Sequence, residues 1–435
     1  MTLAATLPDR GPPSLLRSPK TVLLFSLLLA ASMWFYVQRV LIPYQIADAA
    51  THGQPRGLLS DLYPRWLGAR ELLLRHRDPY SHEVTREIQI GYYGRALDPN
   101  RPEDPKDEQR FAYPLYVTFL LAPTITLPFS LVRAGFDWLL AILTGVSVWL
   151  WLRALRWNVS RTTTVVLVVL TLGSFTVAQG IKLQQLTLLV GAMIAGCAAF
   201  MVTGDLVAAG ILLALATIKP QLALPLCAWL MLWAVSDWRN RKPLLLSFAA
   251  TLTALFAASQ YLLPGWFTKF ADAISAYRQY TTGAGSLLDI LAGPLLGKFL
   301  ALGAALAVAA VCWRLRKVEA GDQTFALAIA LVLSATVIVV PKVAPYNSVL
   351  LLPAIFLIVR KAKALWSRDL LTRSLLFLTA VLLFWPWLAA SMLNLLAFTG
   401  ASLGATASTL PLYTTFAMPL AVMAVLWKQL SASTR

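Results

Sequence analysis

Apolar and polar positions along this chain do not alternate with the period of an amphipathic helix or strand. They segregate into long apolar runs separated by short charged connections. The first run spans residues 21–42. After a polar interval come runs at about 113–128, 134–152, 162–178, 185–203, 206–218, 221–236, 244–263, 288–312, 323–340, 346–359, 374–397 and 408–427. A run of about 20 apolar residues is long enough to cross a bilayer as a helix. The pattern predicts an all-α polytopic membrane protein of about 12–13 transmembrane segments. Its divisions are a tail over 1–20, a first transmembrane helix over 21–42, a large loop over 43–112, a multi-helix membrane domain over 113–428 and a tail over 429–435.

Charge at the connections sets the expected orientation. Arg10, Arg17 and Lys20 precede the first run, and basic clusters fall at Arg153/Arg156/Arg161, Arg239/Arg241/Lys242, Arg314/Arg316/Lys317, Arg360 to Arg373 and Lys428/Arg435. Positive residues stay on the cytoplasmic side, which predicts cytoplasmic termini and an extracytoplasmic loop 43–112. All later runs alternate correctly on this scheme except 113–152, which holds two runs where an odd number of crossings is needed. The proline-bounded run 113–128 is therefore expected to be tilted, broken or re-entrant. The pair Lys219-Pro220 marks a second break, because proline lacks an amide donor and disfavours helix in the residue before it.

Composition agrees. The chain has 435 residues, 58% of them hydrophobic and 13% charged, with a mean hydropathy of +0.67. The net charge of +17 could suggest nucleic acid, but basic residues in short loops between apolar runs are topology signals and contacts to anionic headgroups, so no nucleic-acid partner is expected. Cys197, Cys227 and Cys312 sit singly in apolar runs as small hydrophobes. The first run reads as an uncleaved helix, since no small-residue cleavage site follows it.

Candidate chemistry concentrates in the loop. Of 20 acidic residues, 11 lie between Pro43 and Ala112, as do all three histidines, His52, His76 and His82. Asp61 precedes a helical stretch expected over 62–76, with Pro64 suited to its first turn. It can cap that helix, or serve as a general base beside apolar and aromatic groups at the membrane surface. The stretch carries Trp66, Leu67, Leu73 and Leu74 on one side, with Arg70 in their midst, either snorkelling to headgroups or facing a lipid-linked phosphate. Lys182, Lys219, Arg278 and Lys342 fall at the same expected face and could hold a phosphate or simply snorkel. The histidine spacings match no zinc pattern, and there is no P-loop, dinucleotide fingerprint or nucleophile elbow. Neither a metal nor a nucleotide cofactor is expected.

Asp61-x-Tyr63, Ala69-Arg70-x-Leu72-Leu73, Asp78-Pro79-Tyr80 and Phe111-x-Tyr113-Pro114, followed by Leu121-Ala-Pro123 and Leu127-Pro128-Phe129, resemble the N-terminal signature of glycosyltransferase family 87. These are polyprenyl-phosphate-mannose-dependent mannosyltransferases of the GT-C class. Gln184-Gln185-Leu186-Thr187-Leu-Leu resembles the family's Gly-Gln-x-Asn-Leu-Leu, and Ile218-Lys219-Pro220 its lysine-containing helix break. The likeness covers residues 20 to about 245 well and the rest loosely. Gln184 and Thr187 depart from the glycine and asparagine, a single proline at 114 replaces a pair, and Lys342-Val-Ala-Pro345-Tyr346-Asn347 stands where histidine and tryptophan are common.

The resemblance implies a GT-C fold and metal-independent, inverting transfer of a hexose, mannose foremost, from a polyprenyl-phosphate donor to a lipid-linked or glycan hydroxyl. Asp61 would be the catalytic base, and Tyr63, Arg65, Arg70, Tyr80, Tyr113, Lys182, Gln185, Lys219, Arg278, Lys342 and Tyr346 would contact substrate. The setting implied is a bacterial plasma membrane, with membrane lipids around the protein and the active site on the extracytoplasmic face. A secondary transporter or lipid-linked sugar flippase shares the broken helices and intramembrane charge, but it should also show repeat symmetry, and the sequence has none. A non-catalytic relative that binds lipid-linked sugar is the third reading.

Overall fold

Backbone placed inside a bilayer must satisfy its own amides and carbonyls, so long apolar runs fold locally as helices. The computed structural model describes residues 18–51, 57–98, 100–105, 107–280, 285–341, 343–400, 403–414 and 416–433, and every regular element among them is helical. Among the described residues, seven helices are long and apolar enough to cross a membrane: Pro19–Thr51, Phe129–Ala154, Leu186–Thr203, Trp238–Leu262, Pro294–Leu315, Leu370–Phe398 and Leu410–Ser431. Arg161–Leu172 and Phe175–Lys182, bent by 57° at their junction, supply an eighth if they form one broken span. Shorter apolar helices at Leu206–Ala216, Pro220–Ser236, Gln323–Val339 and Pro345–Arg360 fill out the bundle. The chain is an all-α polytopic membrane protein. Several expected segments are present as helices too short to cross alone.

Burial sorts these helices. Leu186–Thr203 is 78% buried along its apolar window and lies at the centre, whereas Trp238–Leu262 is 11% buried and Pro294–Leu315 17%. Gln323–Val339 is sequestered almost throughout, from Phe325 to Ile338. An apolar helix with little of its surface against protein has its remaining faces available to lipid.

Three local features position the site. The first helix does not stop near residue 42 but continues to Thr51 through a π-helical turn over Val37–Leu41. Pro43 explains the turn: its ring clashes with the carbonyl four residues back, and the wider winding lets the Ile42 amide donate to Val37 instead. The extra turns carry Gln45 toward the loop. The 113–128 run forms only the helix Val117–Leu121 and a 3-10 turn over Ala122–Thr124, short of a crossing. At Lys219-Pro220 the helix Leu206–Ala216 ends, Lys219 is non-helical (φ −121°, ψ 77°), and Pro220 starts the next helix.

Within the loop, Tyr63–Arg75 buries Trp66, Ala69 and Leu72, and His82–Tyr93 buries Val84, Ile88 and Tyr92, each set on one helical face. Ser81 caps the second of these by accepting from the Val84 amide at 3.2 Å. Buried Glu71 is neutralised by Arg75 at 3.0 Å and Arg77 at 2.9 Å. The helix Trp266–Tyr280 is fastened to the loop by an ion pair from Lys269 to Asp78 at 2.7 Å.

The crossing of Leu206–Ala216 with Trp238–Leu262 depends on Gly210. A Cβ there would overlap the Ser247 hydroxyl and the Leu244 carbonyl oxygen. Gly210→Ala is therefore expected to destabilise the protein by about 1–3 kcal/mol, read as a lower unfolding midpoint in detergent. Gly135→Ala, where a Cβ meets nothing within 4 Å, should leave that midpoint unchanged or slightly higher.

Candidate active site

The site is built on two turns that the sequence leaves unable to continue as helix. The first contains Asp61. Its backbone amide donates to the Leu183 carbonyl at 2.9 Å, which ties the loop to the turn between Phe175–Lys182 and Leu186–Thr203. From that same turn, Gln185 Nε2 donates to Asp61 Oδ2. The second is the Lys219-Pro220 break. Lys219 Nζ donates to Gln185 Oε1 at 2.8 Å and to Thr187 Oγ1 at 2.5 Å, and it lies 5.1 Å from the centre of the Tyr346 ring. One amide thus joins a carboxylate to an ammonium, its nitrogen toward the anion and its oxygen toward the cation.

This geometry bears on the reading of Asp61 as a helix cap. The N-cap of Tyr63–Arg75 is Leu62, with no side-chain cap, and the Asp61 carboxylate is turned instead to Gln185. A donated amide hydrogen stabilises the ionised carboxylate and fixes its direction.

Arg65 donates to the Asp61 carbonyl at 2.6 Å and stacks 4.4 Å over the Tyr113 ring. Burial opposes its charge, but Tyr113, Asp61, Tyr277 and Asp107 around it hold its pKa above the ordinary value. Burial likewise pushes the Tyr113 phenol up to about 12 against the pull of Arg65, so at neutral pH it stays a hydrogen-bond donor. Tyr80 donates to the Tyr113 carbonyl at 2.7 Å and packs on Phe111. Tyr346 shares the electrostatic neighbourhood of Asp61, Tyr113 and Arg65. Lys182 is buried beside the same turn, with Nζ on Gln45 Oε1 at 2.7 Å.

The structure therefore brings together Asp61, Arg65, Tyr113, Gln185, Lys219 and Tyr346, with Tyr80 and Lys182 immediately behind. Tyr63 packs against Trp66, Tyr92 and Phe129, and Arg70 lies 5.4 Å over the Trp66 ring; both are placed in that aromatic packing. Arg278 is exposed on the last turn of Trp266–Tyr280, and Lys342 lies outside the described residues.

Thr187, Asn347, Tyr277 and Asp107 join the site without having been among the expected site residues. Thr187 accepts from Lys219 and donates to Asn347 Oδ1 at 3.3 Å. Tyr277 donates to Asp107 Oδ1 at 3.0 Å, and burial followed by the Asp107 charge raises its pKa, keeping it a donor. Thr187 and Asn347 stood in the motif stretches that carry the resemblance and Asp107 among the loop's acidic residues, whereas Tyr277 carried no signal. No group of three or more His, Cys, Asp or Glu placed to hold a metal occurs among the described residues.

The sequence model of glycosyltransferase family 87 matches residues 111–341, just over half of the chain. The chain belongs to glycosyltransferase family 87. It is a membrane glycosyltransferase. No curated protein matches it. The match includes Tyr113, Lys182, Gln185, Lys219 and Arg278, while Asp61 precedes it and Tyr346 follows it. For this family 87 member, geometry joins Asp61 to the matched region, through Gln185 and the Leu183 carbonyl.

Proposed function

We propose that the protein transfers a hexose, mannose foremost, from a polyprenyl-phosphate donor to a hydroxyl of a lipid-linked or glycan acceptor, with inversion and without a metal. The observation that carries this reading is the continuous chain Asp61–Gln185–Lys219: a carboxylate to receive a proton and a buried cation to receive a phosphate, held at a fixed spacing by one side chain. Asp61 removes the proton of the acceptor hydroxyl as its oxygen forms a bond to the anomeric carbon. The bond from that carbon to the phosphate oxygen breaks on the opposite face. The phosphate, still attached to its lipid, departs with the bonding electrons. Lys219 stabilises the charge that develops there, a contribution worth more in a site shielded from water.

A lipid substrate is supported by what lies alongside. Lined in part by Thr176 and by Ser348, the residue after Asn347, an apolar cavity of about 210 Å³ runs between Phe175–Lys182, Pro345–Arg360 and Leu370–Phe398. It adjoins a second of about 280 Å³ that reaches Trp366, the two sharing Ile355, Val359 and Leu383. A donor carrying its phosphate on a lipid would approach through the membrane, and an energised donor needs no nucleotide site. The basic loops support placing both termini in the cytoplasm and the site on the extracytoplasmic face of a bacterial plasma membrane.

The test is transfer by the purified protein in nanodiscs from radiolabelled polyprenyl-phosphate mannose to a mixture of lipid and glycan acceptors, with and without chelator. Labelled product formed equally with chelator is expected. Loss of product on chelation would overturn the metal-free mechanism, and donor binding or translocation without product would overturn transfer itself.

A further inference from the structure

An acidic residue within a membrane-spanning helix is costly unless it has a partner and a task. Asp137 is such a residue, half-buried about two turns into Phe129–Ala154. Its Oδ1 accepts from Gln184 Nε2 at 2.6 Å. Gln184 is itself anomalous, with φ at +47°, a left-handed conformation that glycine adopts freely and a side-chain-bearing residue resists. The Gln184 side chain folds back over its own turn, and Nε2 also approaches the Ile181 and Lys182 carbonyls at 2.9 and 3.1 Å. Asp137 is the partner on another helix that completes this arrangement.

We propose that Asp137 is a positioning residue for the active site, holding Gln184 in its left-handed conformation and with it the shape of the turn 183–185. That turn supplies both of its described contacts to Asp61, the Leu183 carbonyl on the backbone amide and Gln185 Nε2 on the carboxylate. If Gln184 relaxes to a negative φ, both donors and acceptors at 183–185 rotate, and the carboxylate loses its direction. The same helix steadies the other approach to Asp61, since Arg133, one turn before Asp137, donates to the Leu58 carbonyl at 3.2 Å. Phe129–Ala154 thus braces the catalytic loop on one side and the Gln185 turn on the other. The pair Asp137–Gln184 does with a side-chain hydrogen bond what a glycine at 184 would do with its backbone alone.

The consequence is a specific dependence between two positions, which rests on Asp61 being the base proposed above. Asp137→Leu is expected to lower kcat about ten- to a hundredfold, the scale of a small misplacement of a reacting group, with the donor KM changed less than about twofold. Asp137→Asn keeps an acceptor oxygen and should retain most of the rate. In a Gln184→Gly background, Asp137→Leu should cause no further loss, because glycine holds the turn unaided. A residue serving stability alone would lower the unfolding midpoint and gain nothing from that glycine.

Hydrogen exchange of the segment 57–66, followed by mass spectrometry in nanodiscs, reads the same contact without any reaction. Exchange there should quicken about tenfold or more in Asp137→Leu and return toward the wild-type rate once Gln184→Gly is added. Unchanged exchange in Asp137→Leu, or a loss that glycine does not repair, would overturn the proposal. Should the wild type transfer no sugar, the exchange arm still decides the role of Asp137, while the proposed function alone would fall.

Discussion

Replacing Asp61 with asparagine is expected to slow sugar transfer about a hundred- to ten-thousandfold, with donor binding and the unfolding midpoint close to wild type. Asparagine has the size and shape of the carboxylate and keeps an oxygen to accept from Gln185 Nε2, so the turn need not move. What it cannot do is take the proton of the acceptor hydroxyl. The barrier should rise by roughly 3–5 kcal/mol, the equivalent of that range of rates. Because the loss belongs to the transition state, kcat and kcat/KM should fall together. Asp61→Glu retains the base but advances it by a methylene, and an intermediate rate is expected. The check is initial-rate kinetics with saturating acceptor, alongside equilibrium binding of the donor. Wild-type turnover by Asp61→Asn would remove Asp61 as the base, leaving Asp107, the carboxylate held by Tyr277, as the next carboxylate to replace.

The parts of this site that could be read along the chain are those where one residue type forces local geometry. Loop-charge parity, with prolines bounding the run, pointed to 113–128 as tilted, broken or re-entrant, and Pro220 foretold the break that leaves Lys219 outside a helix. The apolar run that set the first helix at 21–42 ends before Pro43, whereas five residues of π-helix absorb that proline and the helix continues to Thr51, bringing Gln45 to Lys182. Hydropathy found the apolar runs but not their lengths as helices: Leu206–Ala216 and Pro345–Arg360 are as apolar as crossings yet too short to be ones alone. The site itself joins residues 124 positions apart at Asp61 and Gln185 and 34 apart at Gln185 and Lys219. No periodicity encodes such distances; the resemblance named those residues, and only packing showed that one amide connects them. Asp137 and Tyr277 had no local signal, since each looks like an ordinary polar interruption.

Lys219→Met is expected to lower kcat/KM for the donor about a hundred- to a thousandfold, as removal of one charge-stabilising donor does elsewhere. Methionine fills the space of the lysine stem at this buried position, so folding should survive the change. Two effects then combine. The phosphate loses a cation in a buried site, where an ammonium is worth more than it would be in water. Gln185 loses the ammonium on its Oε1, and with it the constraint that turns Nε2 toward Asp61. Thr187→Val separates these effects, since it removes an acceptor of Lys219 while leaving both the charge and Gln185 in place, and its cost should be much smaller. Lys182→Met should also cost less than Lys219→Met, because Lys182 is directed to Gln45, whereas Lys219 holds the amide that joins base and cation. Donor binding measured beside turnover shows where the charge acts. A phosphate contact already made in the ground state raises the dissociation constant, whereas a contact completed only as the bond breaks lowers kcat with binding intact. Lys219→Met with both quantities at wild-type values would show that the phosphate is held elsewhere on the protein.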